Sequence, residues 1–204
     1  YINISKYLHW RFYKILTKNR YLLEEIHNTS FFYFGSTFIQ NSDKIDLQKK
    51  NMASLIASNQ NRLTGHKLRH EVVQHIKNNN FNVSVIGRGY RPFKNKEDGL
   101  KSYRYSIVIE NTSELDYFTE KVIDACLLET IPIYWGAPNI SKYFDTRGFI
   151  VCENIDQILQ AIRTISIDDY NSKVEWIMKN KVKAAYHANC FKRAAQVIRG
   201  SLKS

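Results

Sequence analysis

The chain has 204 residues, 44% of them hydrophobic and 24% charged, with a formal net charge of +11. This is enough apolar chain for one α/β domain and part of another, and it excludes disordered and fibrous classes. The excess of cations suits nucleic acid, an anionic membrane surface or a phosphate-bearing small molecule, yet no run of five consecutive Lys/Arg marks a nucleic-acid tail.

Short β-branched runs alternate with helical patterns along the chain. Strands are predicted at Tyr13–Leu16, Phe31–Phe34, Ala53–Ser58, Val83–Ile86, Tyr105–Glu110, Ile131–Trp135 and Gly148–Cys152. Helices are predicted at Tyr21–Ile26, Gly65–Lys77, Phe118–Leu128 and Ile155–Ile162, with one or two more between Asp168 and Leu202. Strand–helix alternation with short connections implies an α/β fold in which helices cover a parallel sheet. The strands read as continuous apolar runs, as expected when both faces are covered. Residues 40–51 are polar and aperiodic and read as a linker. They separate residues 1–50, a small α/β piece plus linker, from a Rossmann-like unit over residues 51–204. A second polar stretch, Arg88–Lys101, reads as a loop near a site.

Cys126, Cys152 and Cys190 form no CxxC pair; Cys126 and Cys152 read as small core residues, and a reducing compartment fits better than a disulfide framework. Apolar runs such as Ile131–Trp135 are too short to span a bilayer, and the start has no charged-then-apolar signal pattern. The expectation is a soluble chain, cytoplasmic or peripheral to a membrane if microbial or viral. A Golgi location would need an anchor preceding Tyr1, which reads as the start of a fragment or processed form.

The P-loop, GxGxxG, HExxH and GxSxG patterns are missing, and so is Asp-x-Asp, the usual carboxylate clamp for a metal–diphosphate complex. Gly87-Arg88-Gly89 follows a strand but opens no helix. His66 and His70 are four apart, with no carboxylate or cysteine at ligand spacing. A metal-independent diphosphate site must instead use Lys, Arg and helix N-termini. Two helix starts supply these. After the strand ending near Glu110, either Asp116 or Thr119 can cap a helix, placing Glu120 and Lys121 in or near its first turn. Ligands of open α/β sheets bind at that strand edge. After Ala53–Ser58 a helix begins near Thr64; Leu68, Val72 and Ile76 form its buried face and Arg69 lies on the flank, within reach of the same edge. Taken singly, Lys121 and Arg69 also read as ordinary solvated helix residues.

Three linked blocks carry a resemblance: Tyr103-Arg104-Tyr105 through Glu110-Asn111, then Tyr117-Phe118-Thr119-Glu120-Lys121, then Thr130-Ile131-Pro132-Ile133. In order and spacing they resemble the donor-binding signature of the α1,3/4-fucosyltransferases, glycosyltransferase family 10. Ser58-Asn59 followed by Arg69 is similar to a further block of that family. The resemblance implies a GT-B architecture with GDP-fucose held mainly by the C-terminal half, and an inverting transfer of fucose to a glycan hydroxyl. It implies no cofactor, no metal and no nucleic-acid partner. The donor site it implies comprises Arg69, Tyr105, Glu110, Asn111, Tyr117, Thr119, Glu120 and Lys121. Of these, Arg69 and Lys121 would contact the diphosphate, Glu120 would accept from donor hydroxyls, and Tyr117 and Asn111 would line the fucose–phosphate region. Arg104 and Thr112 stand where the family more often has Lys and Ser. Tyr1–Phe12 contains no Asp or Glu, so the general base that deprotonates the acceptor is expected upstream of Tyr1. Two other readings are a GT-B enzyme using a different nucleotide sugar and a basic nucleic-acid-binding module; against the latter, the aromatic residues mostly occupy strand positions.

Overall fold

A computed structural model describes residues 2–202. An N-terminal helix α1 (Ile2–Leu8) precedes a β–α–β unit: β1 (Ile15–Thr17), α2 (Arg20–Glu25) and β2 (Thr29–Phe31). The two strands pair in parallel, Ile15 opposite Thr29 and Thr17 opposite Phe31. Asn19 opens α2 by accepting a hydrogen bond from the Leu22 amide, the role for which Asn is favoured at that position. The second strand therefore lies earlier than the aromatic run Phe31–Phe34 suggests. Register with β1 selects Thr29–Phe31, and Phe32 N closes the pairing on Thr17 O.

The larger unit runs β3 (Asn51–Ile56), α3 (Thr64–Asn78), β4 (Val83–Ile86), β5 (Tyr103–Ile109), α4 (Glu120–Leu127), β6 (Ile131–Trp135), β7 (Ile150–Val151) and α5 (Ile155–Thr164). Its five strands form a wholly parallel sheet in the order β4-β3-β5-β6-β7. The chain moves outward from β3 to β4, returns past β3, and then proceeds the other way through β5, β6 and β7. The order therefore reverses between β3 and β5. At such a switch point the connections leave in opposite directions and a crevice opens at the carboxyl ends of the strands.

Side chains alternate across β5. Tyr105, Ile107 and Ile109 enter one core with Val72, Val73 and Ile76 of α3 and Ile158 and Ile162 of α5. Val108 enters the other core with Val122, Ile123 and Cys126 of α4 and Ala184 further along. The sheet is thus apolar on both faces, as a buried parallel sheet requires. Pro132 sits inside β6 without breaking the ladder. Tyr134 O accepts from Cys152 N, so the same side of residue 132 faces β7, whose pairing starts only at Ile133. The amide that proline lacks has no partner strand at that level.

The C-terminal region contains three helices, α6 (Ile167–Ser172), α7 (Val174–Ala188) and α8 (Cys190–Ser201), where the sequence reading allowed one or two. Ser166 caps α6 through the Asp169 amide and Asn189 caps α8 through the Lys192 amide. Arg193 of α8 is buried and donates to Tyr33 O, Gly35 O and His187 O, fastening α8 to the segment after β2. Cys126, Cys152 and Cys190 are free and buried. Among the described residues no helix is long and apolar enough to cross a membrane.

The segment around residues 40–50 is held against the domain. Ile45 and Leu47 pack on the α4 core, and Lys49 Nζ donates to Leu128 O, Thr130 Oγ1 and Leu100 O at 2.5, 2.8 and 3.3 Å. Burial pushes the Lys49 ammonium from 10.5 down to about 7, opposed only by Glu129. Between pH 7 and 10.5 the unfolded chain holds a proton there that the folded chain has released, so this residue makes stability rise with pH across that window. The slope is at most about 1.4 kcal/mol per pH unit. Urea denaturation at pH 7 and pH 9 checks it: the parent chain should gain stability relative to Lys49→Met by more than about 1 kcal/mol. An unchanged difference would mean that the lysine stays charged in the folded state.

Candidate functional site

Two helix starts and two strand ends converge at the switch point. α3 opens beside the end of β5: Gly65 N donates to Asn111 O at 2.9 Å. A Cβ on Gly65 would lie 1.7 Å from Glu110 O, so only glycine lets the helix approach this closely. One turn later the Arg69 guanidinium is buried, 6% exposed, and its Nη2 donates to Ile109 O at 2.5 Å. Burial lowers its pKa, partly offset by Glu110 and Glu120. A solvated flank position does not describe Arg69; it is a fixed cation at the sheet edge.

α4 opens at Thr119, not Asp116. Thr119 Oγ1 accepts from Lys121 N, while Asp116 takes a left-handed conformation (φ 58°) in the preceding loop, held by Asn139 and Tyr143. Glu110 braces this helix start. Its Oε1 accepts from Thr119 N at 2.9 Å and its Oε2 from Thr119 Oγ1 at 2.7 Å, with Lys121 Nζ 3.5 Å from the second oxygen. Burial raises the Glu110 pKa against the pull of Lys121 and the Thr119 bonds. Lys121 Nζ also reaches Thr119 Oγ1 at 3.1 Å and Glu120 Oε1 at 3.4 Å. At Glu120 burial would raise the pKa, but Lys121 and Lys96 outweigh it and the carboxyl is held below its ordinary value.

These groups border a cavity of about 310 Å³ whose walls include Ala57 and Ser58 after β3, Gly87 and Arg88 after β4, and Ser106–Ile109 of β5. Four cations line it (Arg69, Arg88, Lys96 and Lys121) against one carboxylate, Glu120. The N-terminus of α4 adds partial positive charge. A cavity of this charge, with apolar walls, suits an anionic group attached to a flat or apolar body.

Of the eight residues expected to bind donor, Arg69, Glu120 and Lys121 line this cavity. Asn111, Tyr117 and Thr119 belong to the partly exposed connection from β5 to α4 beside it. Two are placed elsewhere. Glu110 is fully enclosed and acts as the brace just described. Tyr105 lies near the start of β5 on the face covered by α5 and α6, with its hydroxyl donating to Asp169 Oδ2 at 2.7 Å and Ser166 O at 3.0 Å. It has 0% exposure and is a core residue. The histidines are accounted for locally: His66 Nδ1 accepts from the Arg62 and Leu63 amides, and His70 bonds Tyr90 Oη and Gln60 O.

Lys96 and Arg88 were not singled out by sequence reading. The available signal was Asp124, a carboxylate amid the apolar run Val122–Leu127, which cannot be buried without a cation. It is wholly buried and pairs with Lys96 at 2.8 Å.

The C-terminal model of glycosyltransferase family 10 (fucosyltransferase) matches residues 47–197. An α-(1,3)-fucosyltransferase FucT of Helicobacter pylori is 34% identical over 122 residues, covering 59% of this chain and 25% of that protein. The mouse GDP-fucose protein O-fucosyltransferase 3 is 29% identical over 89 residues, 41% of this chain and 18% of its own length. Among solved structures, an α1,3-fucosyltransferase with GDP-fucose superposes with a TM-score of 0.52 at 31% identity, over 65% of this chain and 40% of that one. Staphylococcus aureus TarM superposes over 95% of this chain with a TM-score of 0.60 at 12% identity, a likeness of fold. The chain thus spans a quarter of the Helicobacter relative and under half of the solved neighbours. The match over residues 47–197 takes in the whole five-stranded sheet and the cavity at its switch point, and the chain belongs to glycosyltransferase family 10, the fucosyltransferases.

Proposed function

We propose that this chain carries the donor-binding part of a fucosyltransferase and that the switch-point cavity takes GDP-fucose for transfer to a glycan hydroxyl. One observation carries the reading: Arg69, Lys121 and the N-terminus of α4 converge on one cavity beside a single carboxylate, Glu120. Arg69 and Lys121 contact the diphosphate, and with the helix N-terminus they take up the charge that grows on it as the glycosidic bond breaks. Arg69 suits this role because its buried guanidinium is already oriented by Ile109 O and little order is lost on binding.

Glu120 accepts hydrogen bonds from fucose hydroxyls, which requires the carboxylate form that Lys121 and Lys96 favour. Tyr117 and Asn111 border the fucose and phosphate region from the adjoining loop. Attack by the acceptor hydroxyl from the face opposite the diphosphate inverts the anomeric carbon. The base that takes the acceptor's proton is assigned neither to Glu110, which is sealed against Thr119, nor to Glu120, which is paired with cations.

Calorimetric titration with GDP-fucose, GDP-mannose and UDP-galactose tests the donor. GDP-fucose should bind tightest. Equal affinity for all three, or binding of UDP-galactose alone, contradicts the assignment.

A further inference from the structure

Asp124 and Glu120 lie four residues apart on α4, and one ammonium stands between them. Lys96, from the short turn Lys96–Gly99 in the loop between β4 and β5, places Nζ 2.8 Å from Asp124 Oδ2 and 3.8 Å from Glu120 Oε1. Its side chain is 16% exposed and the nitrogen itself is closed off from solvent. The Phe38 ring covers it, with the centroid 4.9 Å away. Asp124 has no exposure and receives a second group of bonds from the same segment: Thr37 Oγ1 donates at 2.5 Å and the Phe38 amide lies 3.3 Å away. Four parts of the chain therefore meet at this ammonium: the cavity-lining loop, the segment after β2, and two successive turns of α4.

The geometry decides what Lys96 can do. The Lys96 side chain lines the cavity, but its ammonium is closed off from solvent and held between Asp124 and Glu120, so in this arrangement it acts on those carboxylates and not on a phosphate. It can fix the carboxylate that does face the cavity. A buried cation 3.8 Å from a carboxylate limits the side chain's choice of rotamers and favours its charged form. Asp124 anchors the cation in turn: a wholly buried carboxylate holds its partner far more firmly than a surface pair does.

Resting on the reading of the cavity as a GDP-fucose site, we propose that Lys96, anchored by Asp124, is a positioning residue that holds Glu120 toward the fucose moiety. The groups around Glu120 that enter its titration are Lys121 on α4, Lys96 from the loop, Arg69 from α3, Glu110 from the end of β5, Asp124 one turn on, and Tyr117 from the preceding connection. Removing Lys96 takes away one of the two cations that hold the Glu120 carboxyl low, so Glu120 should protonate at higher pH.

The test compares GDP with GDP-fucose on the same chain. In Lys96→Met the Kd for GDP-fucose should rise about tenfold, while the Kd for GDP should change by less than about threefold. The acid limb of GDP-fucose binding should move to higher pH, and Lys96→Arg should restore both readouts. Equal weakening for GDP and GDP-fucose, or an unmoved pH profile in a chain with parental circular dichroism, would overturn the proposal. Lys121→Ala run beside it separates the two levels. If that variant binds GDP as the parent does, the phosphate assignment of the cavity fails; if it loses GDP while Lys96→Met keeps fucose discrimination, only the role of Lys96 fails.

Discussion

Replacing Lys121 with alanine is expected to weaken GDP binding by roughly 10- to 150-fold, equivalent to about 1.5–3 kcal/mol for a charge-assisted contact. The magnitude follows from where the ammonium sits. Its side chain is 24% exposed, it lies in the first turn of α4, and its local partners are the carboxylates Glu110 at 3.5 Å and Glu120 at 3.4 Å. A cation in a first helical turn opposes the dipole and costs about 0.3–1 kcal/mol by itself. An anion bound against it reverses that sign. The same substitution leaves Glu110 buried without its cation, so some stability is lost as well. Guanosine separates the effects: its affinity should fall far less than that of GDP, because it has no phosphate to lose. If guanosine and GDP weaken alike, Lys121 supports the pocket's shape and the phosphates lie elsewhere.

The second large effect concerns folding. Gly65→Ala places a Cβ 1.7 Å from Glu110 O and 2.9 Å from Asn111 O, both backbone atoms that cannot swing aside. Overpacking of this kind costs about 1–3 kcal/mol, sometimes more, which for a domain of this size lowers Tm by roughly 2–4 °C for each kcal/mol. The displaced helix carries Arg69, whose acceptor Ile109 O is on the strand it is pushed from, so GDP affinity should fall in the same variant. Gly200→Ala is the contrasting case. Nothing lies within 4 Å of its would-be Cβ, and the residue is inside α8. That change should leave Tm unchanged or slightly higher, because alanine is the better helix former. A Gly65→Ala chain that melts with the parent would mean that α3 does not abut β5 as described.

The sheet was legible because its strands are buried on both faces, and runs such as Ile107–Ile109 and Ile131–Trp135 announce that directly. The helix caps at Asn19, Thr119, Ser166 and Asn189 were present in the sequence as well; the last two mark the starts of α6 and α8, while α7 begins after Lys173 without a side-chain cap, so its boundary had no such signal. Arg69 was legible as a flank cation within reach of this edge, but its burial was not, since apolar spacing marks a helix's buried face only for residues that are apolar. Periodicity does not set Tyr105 apart, since it shares a strand face with the cavity-lining Ile107 and Ile109; its hydroxyl is turned to Asp169 and Ser166 by helices that only the tertiary fold brings over it. Asp124 signals a buried cation and the stretch Arg88–Lys101 a loop near a site, but that Lys96 is the cation lay beyond local reasoning. Its meaning depends on Asp124 and Phe38, which only the tertiary fold brings beside it. The strands of the N-terminal piece were shifted because three-residue pairing, not the aromatic run, sets their register.

Titration of the unmodified chain with the three nucleotide sugars tests most directly whether the cavity between β3 and β5 binds a GDP-linked fucose. The expected result is saturable one-to-one binding of GDP-fucose, tighter than GDP-mannose and much tighter than UDP-galactose, and competed by GDP. Absence of GDP-fucose binding by the folded chain, or indifference among the three sugars, would contradict it.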